Sequence, residues 1–327
     1  MAPSLIDPSA PHHSPSPMPA TRLGRARRAL LLRWVTAHGS LVIAAGVLLT
    51  IGLLVAFAPW LTPYNPLAFS AHRLSPPSLT HIMGTDEFGR DVFSRVLAGG
   101  RVTLEEAVLA TLLASGVGVP LGLVGGYIGR AVGTLVMRVV DIMLAFPSLL
   151  LALIVITVVQ GGTATIVIAV GVGIIPTFAR LTFGATLSIK TQEYVEAARA
   201  LAFRRSRIMF RHVLPNMATM LTVLVSSSIG WAILNATALN FLGFGVYPPA
   251  PSWGSDLADS LQWITSGWWM STFYGLAITI VIVAANFLGD YAAKRVGEGW
   301  QTTGFQIGQP LRPGLGQFSV SDGGIQP

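Results

Sequence analysis

The chain has 327 residues, of which 52% are hydrophobic and 11% are charged, and its formal net charge is +7. This composition excludes an ordinary soluble domain, in which about 25% of residues are charged, and the absence of cysteine excludes disulfides, thiolate catalysis and cysteine-ligated metals. In so apolar a chain, an excess of Lys and Arg indicates membrane orientation rather than a nucleic-acid partner, which requires a basic surface on a soluble domain.

Residues 1–36 are predicted to form a disordered, basic tail. The first 21 residues are rich in Pro and Ser and show no periodic apolar pattern. Five arginines lie between residues 22 and 33. The adjacent His12 and His13 could ligate a metal, but a flexible segment without further ligands does not favour a site, and we predict no metal in this chain.

Charge-free intervals predict six membrane-spanning helices. Asp, Glu, Lys and Arg are absent from five intervals, each longer than the ~20 apolar residues that cross a bilayer: 34–72, 107–129, 142–179, 212–255 and 260–289. The interval 142–179 contains the turn-like sequence QGGTAT, which divides it into two spans. The fold class is therefore all-α and polytopic, with helices over roughly 40–61, 103–126, 131–158, 163–186, 213–239 and 270–292.

Residues 62–100, between the first two spans, are predicted to be an extracytoplasmic segment with a helix suited to lying in the membrane interface. A packing elbow before the chain re-enters the bilayer is the preferred reading of that helix. From Asp91 onward, helical spacing separates an apolar face from a polar face. The apolar face contains Val92, Phe93, Val96 and Leu97, and the polar face contains Ser94 and Arg95.

The second and third spans carry two patterns that favour helix packing. In the second, Gly118, Gly122 and Gly126 recur every four residues, which predicts a groove where another backbone approaches closely. In the third, Arg138 and Asp141 are three residues apart and are predicted to pair along the helix surface. An ion path is the less favoured reading of that pair, because the spans otherwise lack the buried carboxylates expected of a proton-coupled carrier.

The fifth span contains a stripe of polar or amphipathic residues. Ser227, Trp231 and Asn235 are spaced by four and share one helical face. In hydrocarbon such a face must meet protein or water, so it could line a translocation pathway. Hydrogen bonding between helices explains the stripe at least as well and is the slightly favoured reading.

Residues 193–216, EYVEAARALAFRRSRIMFRHVLPN, form a highly charged segment between two spans. Tyr194, Ala197, Ala198 and Leu201 follow helical spacing and predict a shallow apolar face beside Glu196. A second helical piece carries a basic face with Arg204, Arg207 and Arg211. The pattern predicts a helix–turn–helix that docks a soluble protein, and it contains no residues arranged for catalysis. An ordinary positive-inside loop is the alternative.

This segment resembles the EAA loop of type I ABC importer permeases, whose pattern is Glu-Ala-Ala, three residues, Gly, and then Leu-Pro some eleven residues later. The matching residues are Glu196, Ala197, Ala198, Leu214 and Pro215, whereas Ala202 stands at the Gly position. Other stretches are similar to the C-type permease subunit of dipeptide, oligopeptide and nickel importers. They are GTDEFGRDVFSR (84–95), MRVVDIMLAFP (137–147), HVLPN (212–216), FLGFGVYPPAPSWG (241–254) and NFLGD (286–290).

The resemblance implies a permease subunit of an ATP-driven importer for dipeptides or oligopeptides, which forms half of the translocation pathway. The implied partners are a B-type permease, two cytoplasmic ATPases, an extracytoplasmic substrate-binding protein and membrane lipid. ATP and Mg²⁺ would be held by the ATPases, because this chain has no GxxxxGK[ST] phosphate-binding loop and is expected to carry no cofactor. The expected ATPase-coupling residues are Glu196, Ala197, Ala198, Ala202, Arg204, Arg207, Leu214 and Pro215.

Three other functions stay open. The same architecture could import nickel complexes or another small solute. An ion-coupled secondary carrier would require inverted repeats and ionisable residues within the membrane, and a membrane scaffold would transport nothing.

The basic residues also predict orientation and domain limits. Of the 21 Lys and Arg residues, 15 fall on the predicted side of the termini and the 193–216 segment and four on the opposite side. Both termini are therefore expected to be cytoplasmic in a bacterial plasma membrane. The predicted domains are the tail 1–36, a first transmembrane helix in 37–61, the segment 62–100, an ABC transmembrane type-1 domain over 101–290 and a cytoplasmic tail over 291–327.

Overall fold

The computed structural model describes residues 43–159 and 161–302, and no strand is assigned within these ranges. The predicted N-terminal tail, with His12 and His13, lies outside them, as does the chain beyond residue 302. The helices, numbered in chain order, are α1 (Ile43–Ala56), α2 (Ala58–Leu61), α3 (Val92–Ile128), α4 (Arg130–Ala145), α5 (Ser148–Val159), α6 (Thr163–Ile189), α7 (Glu193–Ala200), α8 (Arg205–Ile208), α9 (Leu214–Asn216), α10 (Ala218–Phe241), α11 (Trp253–Ser260) and α12 (Trp268–Thr302). The all-α fold class is thus confirmed.

Four described helices are long and apolar enough to cross a membrane. They are α3, α6, α10 and the Trp268–Tyr291 part of α12, and they correspond to four of the six predicted spans. The first predicted span corresponds to α1, whose described part is shorter than a full span. Helix α12 continues past Asp290 to Thr302, so the chain that was predicted to be a tail begins as helix.

The third predicted span is not one straight helix. Helices α4 and α5 are bent by 99° relative to each other. The break falls at Phe146, which has extended backbone angles (φ −93°, ψ 138°) and precedes Pro147. Because the ring of a proline disfavours helical geometry in the residue before it, the break follows from this Phe-Pro pair. The continuous helix predicted over 131–158 was wrong in this respect.

Helices α3 and α6 run in the same direction and pack along a seam of glycines. A Cβ atom built on Gly118 would lie 2.7 Å from the carbonyl oxygen of Ile175, and one on Gly126 would lie 2.9 Å from that of Phe183. No side chain fits at such distances, so the two backbones touch directly. The predicted glycine groove is confirmed, and its occupant is α6.

One end of the bundle contains a buried network of charges, which we call the ion-pair end: Asp86, Glu87, Arg90, Arg95 and Asp256. Arg90 Nε lies 2.5 Å from Asp86 Oδ2, and Arg95 Nη2 lies 2.6 Å from Asp256 Oδ1. Arg90 Nη2 is also 3.5 Å from Glu87 Oε1. These contacts offset the cost of removing the charges from water.

Arg95 occupies the centre of this end and joins three stretches of chain. Besides Asp256, its Nη1 donates to the carbonyl oxygens of Pro66, at 3.1 Å, and Pro249, at 3.2 Å. Its side chain is buried, and so is that of Ser94, which donates from Oγ to Asp91. An exposed polar face is therefore not observed, and the buried contacts agree with the packing elbow, whereas the position of the helix relative to the membrane stays a prediction. Both faces are covered by protein, and the helix is simply the first part of α3.

Asp256 lies on α11, in the interior of the ion-pair end. Burial raises the pKa of its carboxyl to about 6, against the opposing influence of Arg95. Trp253, on the same helix, fixes α11 against α3 by donating from Nε1 to the carbonyl oxygen of Val96 at 2.7 Å. The side chain of Trp253 is buried, so this indole needs such a partner.

The opposite end of the bundle is formed where α3 and α6 finish and where α7 to α9 lie. We call it the basic end, after Arg130, Lys190, Arg199, Arg204, Arg205, Arg207 and Arg211. Among the described residues no carboxylate forms an ion pair with any of these seven. The two ends therefore differ in how their charges are compensated.

Candidate functional site

The 193–216 loop at the basic end is a helix–turn–helix, as predicted, and one face of it is firmly anchored. Glu193 and Glu196 lie in the first turn of α7, where carboxylates stabilise the positive end of the helix dipole. The anchoring side chains belong to a separate apolar cluster. Its buried members are Leu123, Ile189, Val195, Ala198, Ile208, Met209, Val213 and Met217.

The exposed face of α7 differs from the predicted one. Ala198 is buried as expected, but its buried neighbour is Val195 rather than Ala197. Tyr194 and Leu201 are 42% and 69% exposed, and Ala197 is exposed as well. The two alanines therefore have different environments. Ala198 packs α7 against the bundle, whereas Ala197 lies on an exposed apolar surface.

The turn after α7 depends on a left-handed backbone at Ala202. This residue has φ +56°, a region where a Cβ atom is crowded and where glycine is favoured. The N–H of Ala202 donates to the carbonyl oxygen of Arg199 at 2.9 Å, and the N–H of Phe203 donates to that of Ala198 at 3.3 Å. The EAA-loop pattern has glycine at this position because the turn requires a left-handed backbone. In this chain Ala202 adopts the same turn in spite of its side chain.

The second half of the loop is a short helix that widens into one π-type turn. Helix α8 is followed by this turn over Met209–Val213 and then by α9. The guanidinium of Arg207 lies 4.5 Å from the ring centroid of Phe203, which is a cation–π distance. Pro215 lies in the first turn of α9, where its missing N–H costs no hydrogen bond, and Leu214 beside it is half-buried.

The charged side chains of the 193–216 loop are available for contact. Glu196, Arg204 and Arg207 are exposed, and none of them has an ion-pair partner among the described residues. Exposed apolar residues next to uncompensated charges are typical of a surface that binds another protein.

The stripe on α10 does not have one uniform environment. Trp231 is 49% exposed, Asn235 is buried, and Ser227 is half-buried. Asn235 Nδ2 donates to the carbonyl oxygen of Trp231 at 2.8 Å, and Ser227 Oγ donates to that of Leu224 at 3.1 Å. These bonds lie within the helix, so they give no support to hydrogen bonding between helices. A role in the pathway stays a prediction.

The predicted pair of Arg138 and Asp141 is replaced by another pair. Asp141 on α4 binds Arg180 on α6, and both side chains are about half exposed. The helical spacing of Arg138 was a valid signal for proximity, but a guanidinium on the neighbouring helix reaches the carboxylate instead. Sequence separation concealed this partner, because Arg180 lies 39 residues away on another helix.

A buried carboxylate that the sequence analysis missed lies in α3. Glu106 is fully buried, and its Oε2 accepts a 2.7 Å hydrogen bond from Asn240 Nδ2 on α10. Asn240 Oδ1 in turn accepts from the N–H of Val246, at 3.0 Å. The expectation that the spans lack a buried carboxylate was therefore wrong. A sequence signal for its burial was available. Thr103, three residues before Glu106, and Ala110, four residues after it, place Glu106 on the face of α3 that carries small residues.

The described residues contain no group of three or more His, Asp or Glu side chains that could hold a metal ion. None of the arrangements above places a nucleophile beside a base. The site chemistry that these residues support is protein docking at the basic end and helix packing elsewhere.

Comparisons with known proteins agree with this geometry. Residues 118–298 match the family model described as binding-protein-dependent transport system inner membrane component. The chain is 39% identical over 252 residues to the dipeptide transport system permease protein DppC of Alkalihalophilus pseudofirmus, covering 76% of this chain and 83% of that protein. It is 38% identical over 261 residues to the glutathione transport system permease protein GsiD of Pectobacterium atrosepticum, covering 79% and 86%.

A solved structure shows the same fold. An inward-facing structure of the MetNI methionine ABC transporter matches with a TM-score of 0.51 and 18% identity, over 62% of this chain and 96% of the matched chain. The family match spans more than half of the sequence, and the curated relatives cover over two thirds of it. The chain belongs to the family of binding-protein-dependent transport system inner membrane components, the permease subunits of ABC importers.

Proposed function

We propose that this permease imports short peptides and receives the energy of ATP hydrolysis through the 193–216 loop. The observation that carries the proposal is the position of Glu196. It is exposed and without an ion pair, on a helix whose other face is anchored by Val195 and Ala198. A contact made there by an ATPase subunit would be passed to the ends of α3 and α6 through the cluster that contains Leu123 and Ile189.

The cargo is proposed from the named relatives. One relative is a dipeptide permease and another is a glutathione permease, and they are 39% and 38% identical to this chain over the aligned residues. Glutathione is itself a small peptide, so the two names have one chemical class in common. We therefore infer di- and oligopeptides as the substrate class.

The proposed assembly contains this chain, a B-type permease, two ATPases that hold ATP and Mg²⁺, and a substrate-binding protein on the opposite side. The basic end would face the cytoplasm together with both termini, because Lys and Arg are retained on that side. The ion-pair end would then face outward. Alternating access would be a shift between two populations, driven by ATPase closure against the loop.

The experiment that tests the proposal is a charge reversal at Glu196. Glu196→Lys should abolish most substrate-stimulated ATP hydrolysis in the reconstituted complex, because a reversed charge at a buried contact costs several kcal/mol. Glu193→Lys is the matched control. It places the same charge change in the same first turn of α7, three residues from Glu196.

Expression should match wild type, and both variants should lose a similar amount of thermal stability, about 1 kcal/mol, since both exposed carboxylates lie in the same first turn of α7. Normal coupling in Glu196→Lys would show that the loop is an ordinary positive-inside loop. A fall in expression with normal coupling per molecule would assign the loop to folding.

A further inference from the structure

A cleft of ≈ 660 Å³ opens at the basic end, beside the anchored part of the 193–216 loop. It lies between the α3–α4 turn, the end of α6 and helices α7 and α8. Its lining contains four cations and no Asp or Glu. The cations are Arg130, Lys190, Arg199 and Arg205, and the apolar lining includes Ile128 and Val132.

Two of the four cations are held in place by the backbone. Lys190 Nζ donates to the carbonyl oxygen of Gly126 at 2.8 Å, and Arg199 Nη2 donates to that of Lys190 at 3.0 Å. The guanidinium of Arg199 also lies 5.7 Å from the ring centroid of Tyr127. These contacts orient the two charges, but carbonyl oxygens do not neutralise them.

The other two cations have no partner within the described part of the chain. Arg130 and Arg205 are exposed, and neither donates a hydrogen bond nor forms an ion pair there. Arg130 lies in a turn with φ +49°, directly after Gly129 with φ +65°, so the chain reverses sharply between α3 and α4. The cleft is therefore basic, uncompensated and built from four separate elements.

The position of the cleft selects the kind of anion. Because α3 and α6 both finish there, the cleft lies at the level where membrane spans end and lipid head groups begin. Ile128 and Val132 are 43% and 39% exposed beside the cations, which provides an apolar surface for an acyl chain. A cleft with basic residues above and apolar residues beside them matches the two halves of an anionic phospholipid.

We propose that this cleft binds the phosphate head group of an anionic phospholipid. Arg130 and Arg205 contact the phosphate, Lys190 and Arg199 complete the positive field, and the acyl chain lies along Ile128 and Val132. A bound lipid would brace the α3–α4 turn against α7 and α8, next to the surface proposed for ATPase docking but separate from Glu196.

The test measures lipid binding by the full-length chain in detergent, with native mass spectrometry. Phosphatidylglycerol should bind wild type, and phosphatidylcholine, which has no net charge, should bind much more weakly. Arg130→Gln and Arg205→Gln should each weaken phosphatidylglycerol binding roughly 5-fold, and the double variant roughly 25-fold. Neither substitution removes a described hydrogen bond, so thermal unfolding should be unchanged.

Arg211→Gln is the matched control, because it removes one exposed cation from the same end outside the cleft. It should leave lipid binding unchanged, and an equal loss in that variant would reduce the effect to general surface charge and overturn the proposal. Glycerol 3-phosphate, the soluble head-group analogue, should compete only weakly. Competition at the affinity of the lipid would assign the cleft to a free anion, and release of lipid by added ATPase subunits would assign it to their docking surface.

Discussion

The ion-pair end and the basic end treat their charges in opposite ways. At the ion-pair end, Arg95 and Asp256 are both buried, and their charged atoms lie 2.6 Å apart. At the basic end, Arg130 and Arg205 are exposed and have no carboxylate partner in the described chain. The first arrangement pairs its buried charges within the chain, whereas the second leaves its exposed charges without a carboxylate partner in the described residues.

This difference indicates which charges stabilise the fold and which serve recognition. A buried cation without its partner is strongly destabilising, so the ion-pair end constrains the chain itself. An exposed cation contributes little to stability and remains available to a lipid or a protein. Variants at the two ends, whose predicted effects differ in size, test this difference.

The largest effect is expected for Arg95→Met. This substitution leaves the Asp256 carboxylate buried without a cation, which should lower the free energy of unfolding by about 3–5 kcal/mol. Arg101→Met is the control on the same helix, because Arg101 pairs with Glu105 at 2.8 Å but both side chains are more than half exposed. The control should cost about 0–1 kcal/mol in thermal unfolding in detergent. Equal losses would remove the distinction between the ends.

The next largest effect is expected in the glycine seam between α3 and α6, the helices that connect the two ends. Gly122→Leu should destabilise the protein by about 1–3 kcal/mol or more, because its side chain would collide with the backbone of Ala179. Gly116→Leu, on the same helix, has open space at its Cβ position and should be tolerated. Thermal unfolding and the yield of assembled complex measure both. A wild-type result for Gly122→Leu would show that the seam is incidental.

The effect of pH on the stability deficit of Arg95→Met gives a second test of the first prediction. In the folded protein the pKa of Asp256 is about 6, above its ordinary value of 3.8, and removal of Arg95 should raise it further. Because the pKa of Asp256 is higher in the folded protein than in the unfolded chain, its protonated carboxyl stabilises the fold fully below about pH 4. This stabilisation is lost as pH rises through the pKa of the folded protein. The deficit of Arg95→Met should therefore be larger above about pH 7 than below about pH 5.

Unfolding curves of wild type and Arg95→Met at both pH values measure this difference. Compared with the single variant Asp256→Leu, Arg95→Met/Asp256→Leu should show a deficit that no longer depends on pH, because neither protein keeps a buried carboxyl at that position. A deficit independent of pH in the single variant would mean that Asp256 is not the group left uncompensated.

The smallest effect is expected at the turn of the basic end. Ala202→Gly should raise stability by at most about 1 kcal/mol, because it relieves the left-handed strain of φ +56° while increasing the entropy of the unfolded chain. Ala200→Gly, two residues earlier and within α7, should instead lower stability by roughly 0.5–1 kcal/mol. Thermal unfolding distinguishes the two signs. Destabilisation by both would show that Ala202 carries no strain.

The sequence was most informative where one interaction dominates locally. Charge-free intervals marked the spans because hydrocarbon excludes ions regardless of tertiary structure. The spacing of Gly118, Gly122 and Gly126 predicted a groove because a missing Cβ has the same consequence in any packed helix. The helix–turn–helix of the 193–216 loop followed from its motif, whereas the left-handed backbone at Ala202 was seen only in the structure.

Polar contacts between residues that are far apart in sequence could not be predicted from local patterns. Arg95 was assigned to a polar face because nothing near it in sequence reveals the carboxylate of Asp256, 161 residues later. Asp141 was paired with its helical neighbour, although Arg180 of the next span binds it. Glu106 was overlooked because its acceptor role depends on Asn240, on another helix. Each error concerns a polar group whose compensation is tertiary.

The glycine seam also has a mechanical consequence. Since α3 and α6 approach closely at Gly118, Gly122 and Gly126, few side chains separate the two backbones there, and we expect the pair to move as one unit. Helix α6 has 27 residues and is about 40 Å long. A tilt of about 5° at its Ile189 end would shift the far end by roughly 3.5 Å over that length. Under the proposed coupling, the seam would convert a small angular push on the 193–216 loop into a displacement of a few ångströms at the opposite end of the bundle.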